Sequence, residues 1–459
     1  MDSIHRVRQR NRLGDPLDCY RCPIATLRLS AKLEMMSLKP KMSDQLKIIN
    51  VAGARPNLPK IAPLLREMRC HPEIESVLVH TGQHYDEKLS DIFFKEMCIP
   101  APSVNLGVGS ASQAAQTAEI LRRIEPVLLE QRPALVLVVG DVNSTFATAL
   151  AATKLGIPVA HVEAGLRSFD RSMPEEINRV LTDAISDYLF VTEEGAIENL
   201  VREGRPPSSI YFVGNVMIDS LRHFLPLAEK SRIGHELGLF EKSWRPFAVL
   251  TLHRPSNVDS IEHLDRLLSA IDAIAVQVPV IFPVHPRTWQ RVTQSGTEHH
   301  RNLRFIPPVG YLDFLCLLNK ASLVLTDSGG IQEETTALGV PCLTLRENTE
   351  RPVTISEGTN LLVGADFEKI VTSARNVLAG KRKVGRIPPF WDGKAAQRIV
   401  EILLRLVPRR KGMASNASTQ IGLGTSDALK HDSGSRSTAK KGVGKPSQLR
   451  KETARKSHL

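Results

Sequence analysis

Short apolar runs, each closed by a polar turn and followed by a segment of helical period, recur along the chain from Leu46 onward. They read LKIINVAGARP, ESVLVHTGQH, ALVLVVGDVN, IPVAHVEAGLR, DYLFVTEE and IYFVGN. After a break near Asn215 to Leu225 come FAVLTLHRP, VPVIFPVHP, NLRFIPPVG, SLVLTDSGG and VPCLTLREN. Near-continuous Val, Ile and Leu without alternation marks a strand buried on both faces, and such strands alternating with helices build parallel sheets covered on both sides. The pattern predicts an α/β protein with two doubly wound, Rossmann-like parallel-sheet domains facing each other across a cleft, at residues 46–218 and 219–384. A last helical run, GKAAQRIVEILLRLV, predicts a C-terminal helix at 385–408 that packs back on the first domain. Residues 1–45 show no clean period and are expected to be a disordered or spurious extension, with Met42 just before the first strand. Residues 409–459, rich in Ser, Gly, Lys and Thr, bury too little to offset their ordering entropy and are expected to form a disordered tail.

In open parallel sheets ligands sit beyond the carboxyl ends of the strands. The first series ends in Arg55, His84, Asp141, Glu163 and, after a loop, Glu175, Glu176 and Arg179; the second ends in His253, Arg254, His285 and Ser328. One carboxylate after a strand is commonly a helix N-cap and one His a satisfied structural residue, but a whole set at equivalent strand ends points to chemistry. The stretch LVLTDSGGIQEE sharpens this. A strand stops at Asp327 to Gly330 and opens a helix, a junction suited to a phosphate because unpaired N–H groups and the helix dipole attract anions. Two carboxylates, Glu333 and Glu334, nevertheless follow in what the pattern predicts to be the first turn.

A length of 459 residues fits two to three domains. The net charge of +11 suggests a nucleic-acid partner until it is divided: residues 409–459 carry 12 Lys/Arg against 3 Asp/Glu, residues 1–46 carry 9 against 5, and the remainder is at −2. The basicity belongs to the ends, so nucleic acid is an unlikely partner of the folded part. No apolar stretch reaches the roughly 18 residues of a membrane span, and the Arg-rich start leads into no apolar signal segment, so a cytoplasmic protein is expected. Six scattered cysteines form no framework, and Cys19-x-x-Cys22 lacks a second ligand pair, so reduced thiols are expected. No G-x-G-x-x-G follows a strand and neither a P-loop nor H-E-x-x-H occurs, which disfavours a dinucleotide, a P-loop nucleotide and a zincin metal. No cofactor and no metal are expected: His253 and His285 lie in one predicted domain, Asp141 and Glu163 in the other.

The stretches GARP, TGQHYD, GDVNSTFATALAA, HVEAGLRS, MPEEINR, GNVMID, HRPSNV, PVHPR, DSGGIQEE and ENTERP, in this order across both domains, resemble the non-hydrolysing UDP-N-acetylglucosamine 2-epimerase family over about Leu46 to Leu404. The resemblance implies the two-domain GT-B fold, a UDP-sugar substrate, a homodimer, and interconversion of UDP-N-acetylglucosamine with UDP-N-acetylmannosamine. By the same likeness the turn of Ser328, Gly329 and Gly330 holds pyrophosphate, Glu334 the ribose hydroxyls, Arg55 and Arg351 the phosphates, and Phe314 the uracil. Lys60 resembles an active-site lysine. Asp141, Glu163 and Glu175 fall on the sugar side, with Arg179 and His253 at substrate and leaving group. Some relatives bind a second UDP-sugar as an activator, at positions matching Gln83, His84, Gln116, Arg254 and His285; Asp86 departs from that set. Further departures are Asn57, Ala184 and Ser256.

The reaction implied has a definite chemistry. The C2 proton of the sugar is not acidic, so UDP is expelled from C1 first; the developing charge acidifies C2, a base removes the proton, and UDP adds back to the 2-acetamidoglucal after protonation of the opposite face. Cations and dipoles stabilise departing UDP while carboxylates move the proton, and which carboxylate is acid and which base stays open. Alternatives are a sister 2-epimerase acting on UDP-2,3-diacetamido-2,3-dideoxy-glucuronate, a hydrolysing 2-epimerase, a GT-B glycosyltransferase, and a nucleotide-sugar sensor.

Overall fold

The computed structural model describes residues 45–407 except 84–86, 242, 285 and 296–302. The tail expected at 409–459, nearly all of the extension expected at 1–45, and the candidates His84 and His285 lie outside the described residues.

The first series of apolar runs forms strands β1 (Leu46–Ala52), β2 (Ile74–His80), β3 (Val104–Asn105), β4 (Leu135–Val139), β5 (Val159–Ala164), β6 (Tyr188–Val191) and β7 (Ile210–Phe212). They make one parallel sheet in the order β3-β2-β1-β4-β5-β6-β7. The second series forms β8 (Ala248–Thr251), β9 (Val280–Pro283), β10 (Leu303–Ile306), β11 (Leu323–Thr326), β12 (Cys342–Thr344) and β13 (Asn360–Leu362), a parallel sheet ordered β10-β9-β8-β11-β12-β13. These are the two doubly wound sheets of a GT-B fold. In each the strand order reverses once, between β1 and β4 and between β8 and β11, and a crevice for ligand opens at such a switch point.

Full burial explains the unbroken apolar runs: all five residues of β4 and all four of β11 are buried. The buried polar residue inside β1, Asn50, donates through Nδ2 to Ser76 Oγ on β2 at 3.0 Å, while its Oδ1 has no hydrogen-bond partner among the described residues. The expected boundary at 218/219 falls inside helix Val216–Ala228, which is no linker. Its Leu221 and Phe224 join one apolar cluster with Ile61 and Met68 of helix Leu58–Met68, Leu315 of helix Tyr311–Lys320, and Ile399 and Leu403 of the last helix, Ala395–Leu406. Asp219 on the same helix accepts the N–H groups of Ala395 (3.1 Å) and Ala396 (2.7 Å), supplying the cap that the start of the last helix lacks. Cys316 and Cys342 are buried free thiols, whereas Cys70 and Cys98 are disulfide-bonded, a departure from the reduced state expected of every cysteine. No described helix is long and apolar enough to cross a membrane.

Candidate active site

At the first switch point the chain leaves β1 through Gly53 and Ala54 into a 3-10 turn, Arg55–Asn57, and then helix Leu58–Met68. Asn57 makes this exit rigid. Its Oδ1 accepts from Gly53 N (3.2 Å) and Ala54 N (3.0 Å), and its Nδ2 donates to Val139 O at 3.1 Å, tying the end of β1 to the end of β4. The helix therefore carries Lys60 across Gly140. Gly140 has φ +70°, and a Cβ there would stand 3.0 Å from Lys60 Nζ, so glycine serves both the backbone turn and the close approach.

The residue after Gly140 is Asp141, whose Oδ2 receives Arg179 Nη2 at 2.5 Å. Burial pushes the Asp141 carboxyl up, but Arg179, Lys60 and Arg351 outweigh it and hold the group at about 2. Glu163, next to last in β5, has φ +77°, and the register with β6 shifts between Val162 and Ala164. A left-handed glutamate costs about 1–3 kcal/mol and persists where its surroundings over-determine it. Here the bulge turns the Glu163 carboxylate onto Lys60 Nζ through one oxygen and onto Arg351 Nη2, at 2.6 Å, through the other.

At the second switch point Asp327 closes β11 and is fully buried. It accepts the N–H groups of His253 (3.0 Å) and Arg254 (2.9 Å), Asn257 Nδ2 (3.1 Å) and His253 Nδ1 (2.7 Å), so it fixes the loop after β8. Burial raises this carboxyl and the His253 contact outweighs it, leaving about 2. The His253 side chain stays 57 % exposed, oriented from below by Asp327 and open on its other side. Ser328 is the N-cap of helix Gly329–Leu338 and makes no side-chain cap bond, which leaves the first N–H groups of the helix without a side-chain acceptor among the described residues. A Cβ at Gly329 would lie 2.4 Å from Arg351 Nη1; glycine is what lets the guanidinium reach the turn.

Arg351 joins the two halves. Besides Glu163 it meets Glu350 Oε1 at 2.5 Å through Nη1 and Glu333 Oε1 at 2.8 Å through Nε, the last a close ion pair without hydrogen-bond geometry. Glu350 also faces Arg346 (2.7 Å) and Arg254 (3.2 Å) and is held well below the usual carboxylate range: burial opposes this, and Arg351, Arg346 and Arg254 prevail. The helix begins at Gly329, so Glu333 and Glu334 lie one turn in, beyond the first turn expected of them. Glu333 is a buried partner of Arg351. Glu334 is buried and accepts Tyr311 OH at 3.1 Å; burial, together with the Glu333 charge and against the Tyr311 bond, pushes it up to about 7.

The structure therefore brings together Lys60, Asp141, Glu163, Arg179 and Arg351 in one network, with His253, Arg254 and the Ser328–Gly330 turn adjoining it through Asp327 and Glu350. Arg55 is exposed with its guanidinium 5.5 Å from the Phe93 ring centroid, and Phe314 is half-buried against the core. Glu175 is half-buried and makes no hydrogen bond or ion pair among the described residues, whereas its neighbour Glu176 pairs with Arg179 and accepts Ser168 N and Phe169 N at 2.9 Å each. Of the expected activator set, Gln116 Nε2 donates to Gln83 O (3.1 Å), and Gln116 Oε1 accepts from Asn143 Nδ2 (2.9 Å). Arg254 belongs instead to the Asp327–Glu350 side. Sequence reasoning assigned no role to Asp327, Glu350, Glu176 or Asn57. Asp327 and Glu350 stand beside residues it did single out, Ser328 and Arg351, and that adjacency was the available signal.

Residues 66–404 match the family model described as UDP-N-acetylglucosamine 2-epimerase. The chain is 46% identical over 367 residues to the UDP-N-acetylglucosamine 2-epimerase homolog of Methanococcus maripaludis, covering 79% of this chain and 100% of the relative. It is 42% identical over 364 residues, again 79% of this chain and 100% of the relative, to the UDP-2,3-diacetamido-2,3-dideoxy-D-glucuronate 2-epimerase of Pseudomonas aeruginosa. Among solved structures, that of the Methanocaldococcus jannaschii UDP-GlcNAc 2-epimerase in complex with UDP-GlcNAc and UDP matches with a TM-score of 0.73 at 44% identity, covering 78% of this chain and 99% of that one. The span matched by the family model takes in strands β2 to β13 and the network residues from Asp141 to Arg351, and the chain belongs to the UDP-N-acetylglucosamine 2-epimerase family.

Proposed function

We propose that the protein interconverts UDP-N-acetylglucosamine and UDP-N-acetylmannosamine by eliminating UDP to a 2-acetamidoglucal and adding it back. The observation that carries this reading is the meeting of Asp141 and Glu163 with Lys60, Arg179 and Arg351 where the two switch points face each other. Breaking C1–O ahead of C2–H needs positive groups for the departing pyrophosphate and carboxylates for the C2 proton, within one enclosed space. In this reading the Ser328–Gly330 turn with its unacceptored N–H groups takes the pyrophosphate, His253 stands beside it at the leaving group, and Glu334 accepts from the ribose. Asp141 and Glu163 flank the sugar. Arg351, sharing Glu163, Glu333 and Glu350, exchanges part of that carboxylate company for phosphate oxygens, to which its planar fork is suited.

The test is to incubate the protein with UDP-N-acetylglucosamine in deuterated water and follow C2 by proton NMR. Appearance of UDP-N-acetylmannosamine with deuterium at C2 in both epimers is the expected result; products without deuterium would remove the elimination route. A second reading, a diacetamido-glucuronate epimerase, is favoured by the similarity to the Pseudomonas aeruginosa enzyme. Exchange with that substrate and none with UDP-N-acetylglucosamine would establish it.

A further inference from the structure

His161 and Asp183 are fully buried on the first sheet and have no part in the chemistry above. The pair's polar atoms are nevertheless spent on each other, on Arg167 and on the backbone beside the two sugar-side carboxylates. His161 Nε2 lies 2.8 Å from Gly140 O, the carbonyl immediately before Asp141. His161 Nδ1 lies 2.6 Å from Asp183 Oδ1, and Asp183 Oδ2 accepts the N–H of Gly165 at 3.0 Å. His161 and Gly165 stand two residues either side of Glu163, so Asp183 staples both flanks of the bulge that holds Glu163 in its left-handed conformation.

The protons can be assigned from the partners. A carbonyl oxygen only accepts, so Nε2 carries a proton. Asp183 Oδ2 receives both the Gly165 N–H and, at 2.7 Å, Arg167 Nη2, a cation itself paired with Glu203 at 2.6 Å; both contacts favour the carboxylate. Nδ1 therefore donates as well. We propose that His161, held as an imidazolium between Asp183 and the Gly140 carbonyl, is a positioning residue that sets Asp141 and Glu163 at the separation the sugar requires. It touches neither substrate nor the reacting atoms. It couples the exit of β4 to the bulge of β5, so the two carboxylates move as one unit.

This inference rests on the reading that Asp141 and Glu163 flank the sugar, and the test keeps the two apart. In the full chain labelled with nitrogen-15 at histidine, with the His161 signals assigned by their loss in His161→Gln, both ring nitrogens are expected to be protonated at neutral pH; one bare nitrogen overturns the proposal. In Asp183→Asn the staple loses its charge, and kcat is expected to fall by about 10²-fold, the scale of a misplacement near 1 Å, with KM and UDP affinity changed far less. A folded, UDP-binding Asp183→Asn with the wild-type kcat, beside an inactive Glu163→Gln, sinks the positioning role and leaves the function intact. A fully active Glu163→Gln sinks the functional reading and the inference with it. Should Asp183→Asn fail to fold, the nitrogen signals of the wild-type ring decide alone.

Discussion

The two switch points share one topology and solve opposite problems. After β4 and β5 the chain projects side chains: Asp141 and Glu163 point into the space between the sheets, and a left-handed glutamate is tolerated to aim one of them. After β11 it presents backbone: Ser328 to Gly330 leave helix N–H groups without side-chain acceptors, and the carboxylate at the strand end, Asp327, turns inward to hold the His253 loop. Proton transfer needs groups that change charge at a fixed point, and side chains supply these. In the proposed function a diphosphate of constant charge is met by dipoles of fixed direction, which a rigid helix end can present.

Breaking the first region should have the largest effect. In Glu163→Gln two buried cations, Lys60 and Arg351, lose a charged partner at once. Stability is expected to drop by about 3–5 kcal/mol, the cost of an uncompensated buried charge, and kcat by about 10²–10⁴-fold if Glu163 moves a proton. Denaturant unfolding and initial epimerisation rates read the two losses separately. A variant that lost activity at full stability would remove the ion-pair role assigned here.

The second region separates from the first by pH. Asp141 and Asp327 lie near 2, below the unfolded value of about 3.9, so the stability they contribute is present above the unfolded value and is lost as pH falls from there through the folded value near 2. Glu334 lies at about 7, above an unfolded value of about 4.3, so the folded state holds its proton more tightly and stability declines as pH rises between the two. Burial raises Glu193 to about 8 and Asp219 to about 6 as well, so Glu334→Gln, neutral throughout, should make the decline shallower by its own share rather than remove it. Denaturation midpoints on either side of the window check it, and an unchanged slope would show that Tyr311 and burial do not act on Glu334 as described.

Most of the fold was legible because burial on both faces writes itself as unbroken apolar runs, and all eleven runs became strands. The two strands missed, β3 and β13, are two- and three-residue edge strands, too short to carry a period. Strand-end position likewise exposed Asp141, Glu163, His253 and Ser328. What stayed hidden is pairing at long range. Arg351 lies 188 residues from Glu163 and Asp327 74 from His253, so neither Arg351's commitment to three carboxylates nor Asp327's inward turn has a local signature. The helix start at Gly329 was also beyond reach, since it was read with Glu333 and Glu334 in its first turn and burial places them a turn later.

The smallest structural effect attends the residue on which sequence and geometry part most clearly. Glu175 and Glu176 are adjacent in the first turn of helix Pro174–Ile185, about 100° apart around the axis, so only one of them can face Arg179. That one is Glu176, while Glu175 has no partner among the described residues. Glu175→Gln should therefore shift stability by no more than about 0.5 kcal/mol, as at a site without a special contact. A group that binds nothing in the protein can still meet substrate, and kcat discriminates: a fall of about 10²-fold or more at unchanged stability places Glu175 on the sugar, as the resemblance implies. Wild-type kcat leaves Asp141 and Glu163 alone to carry the proton between the two faces of C2.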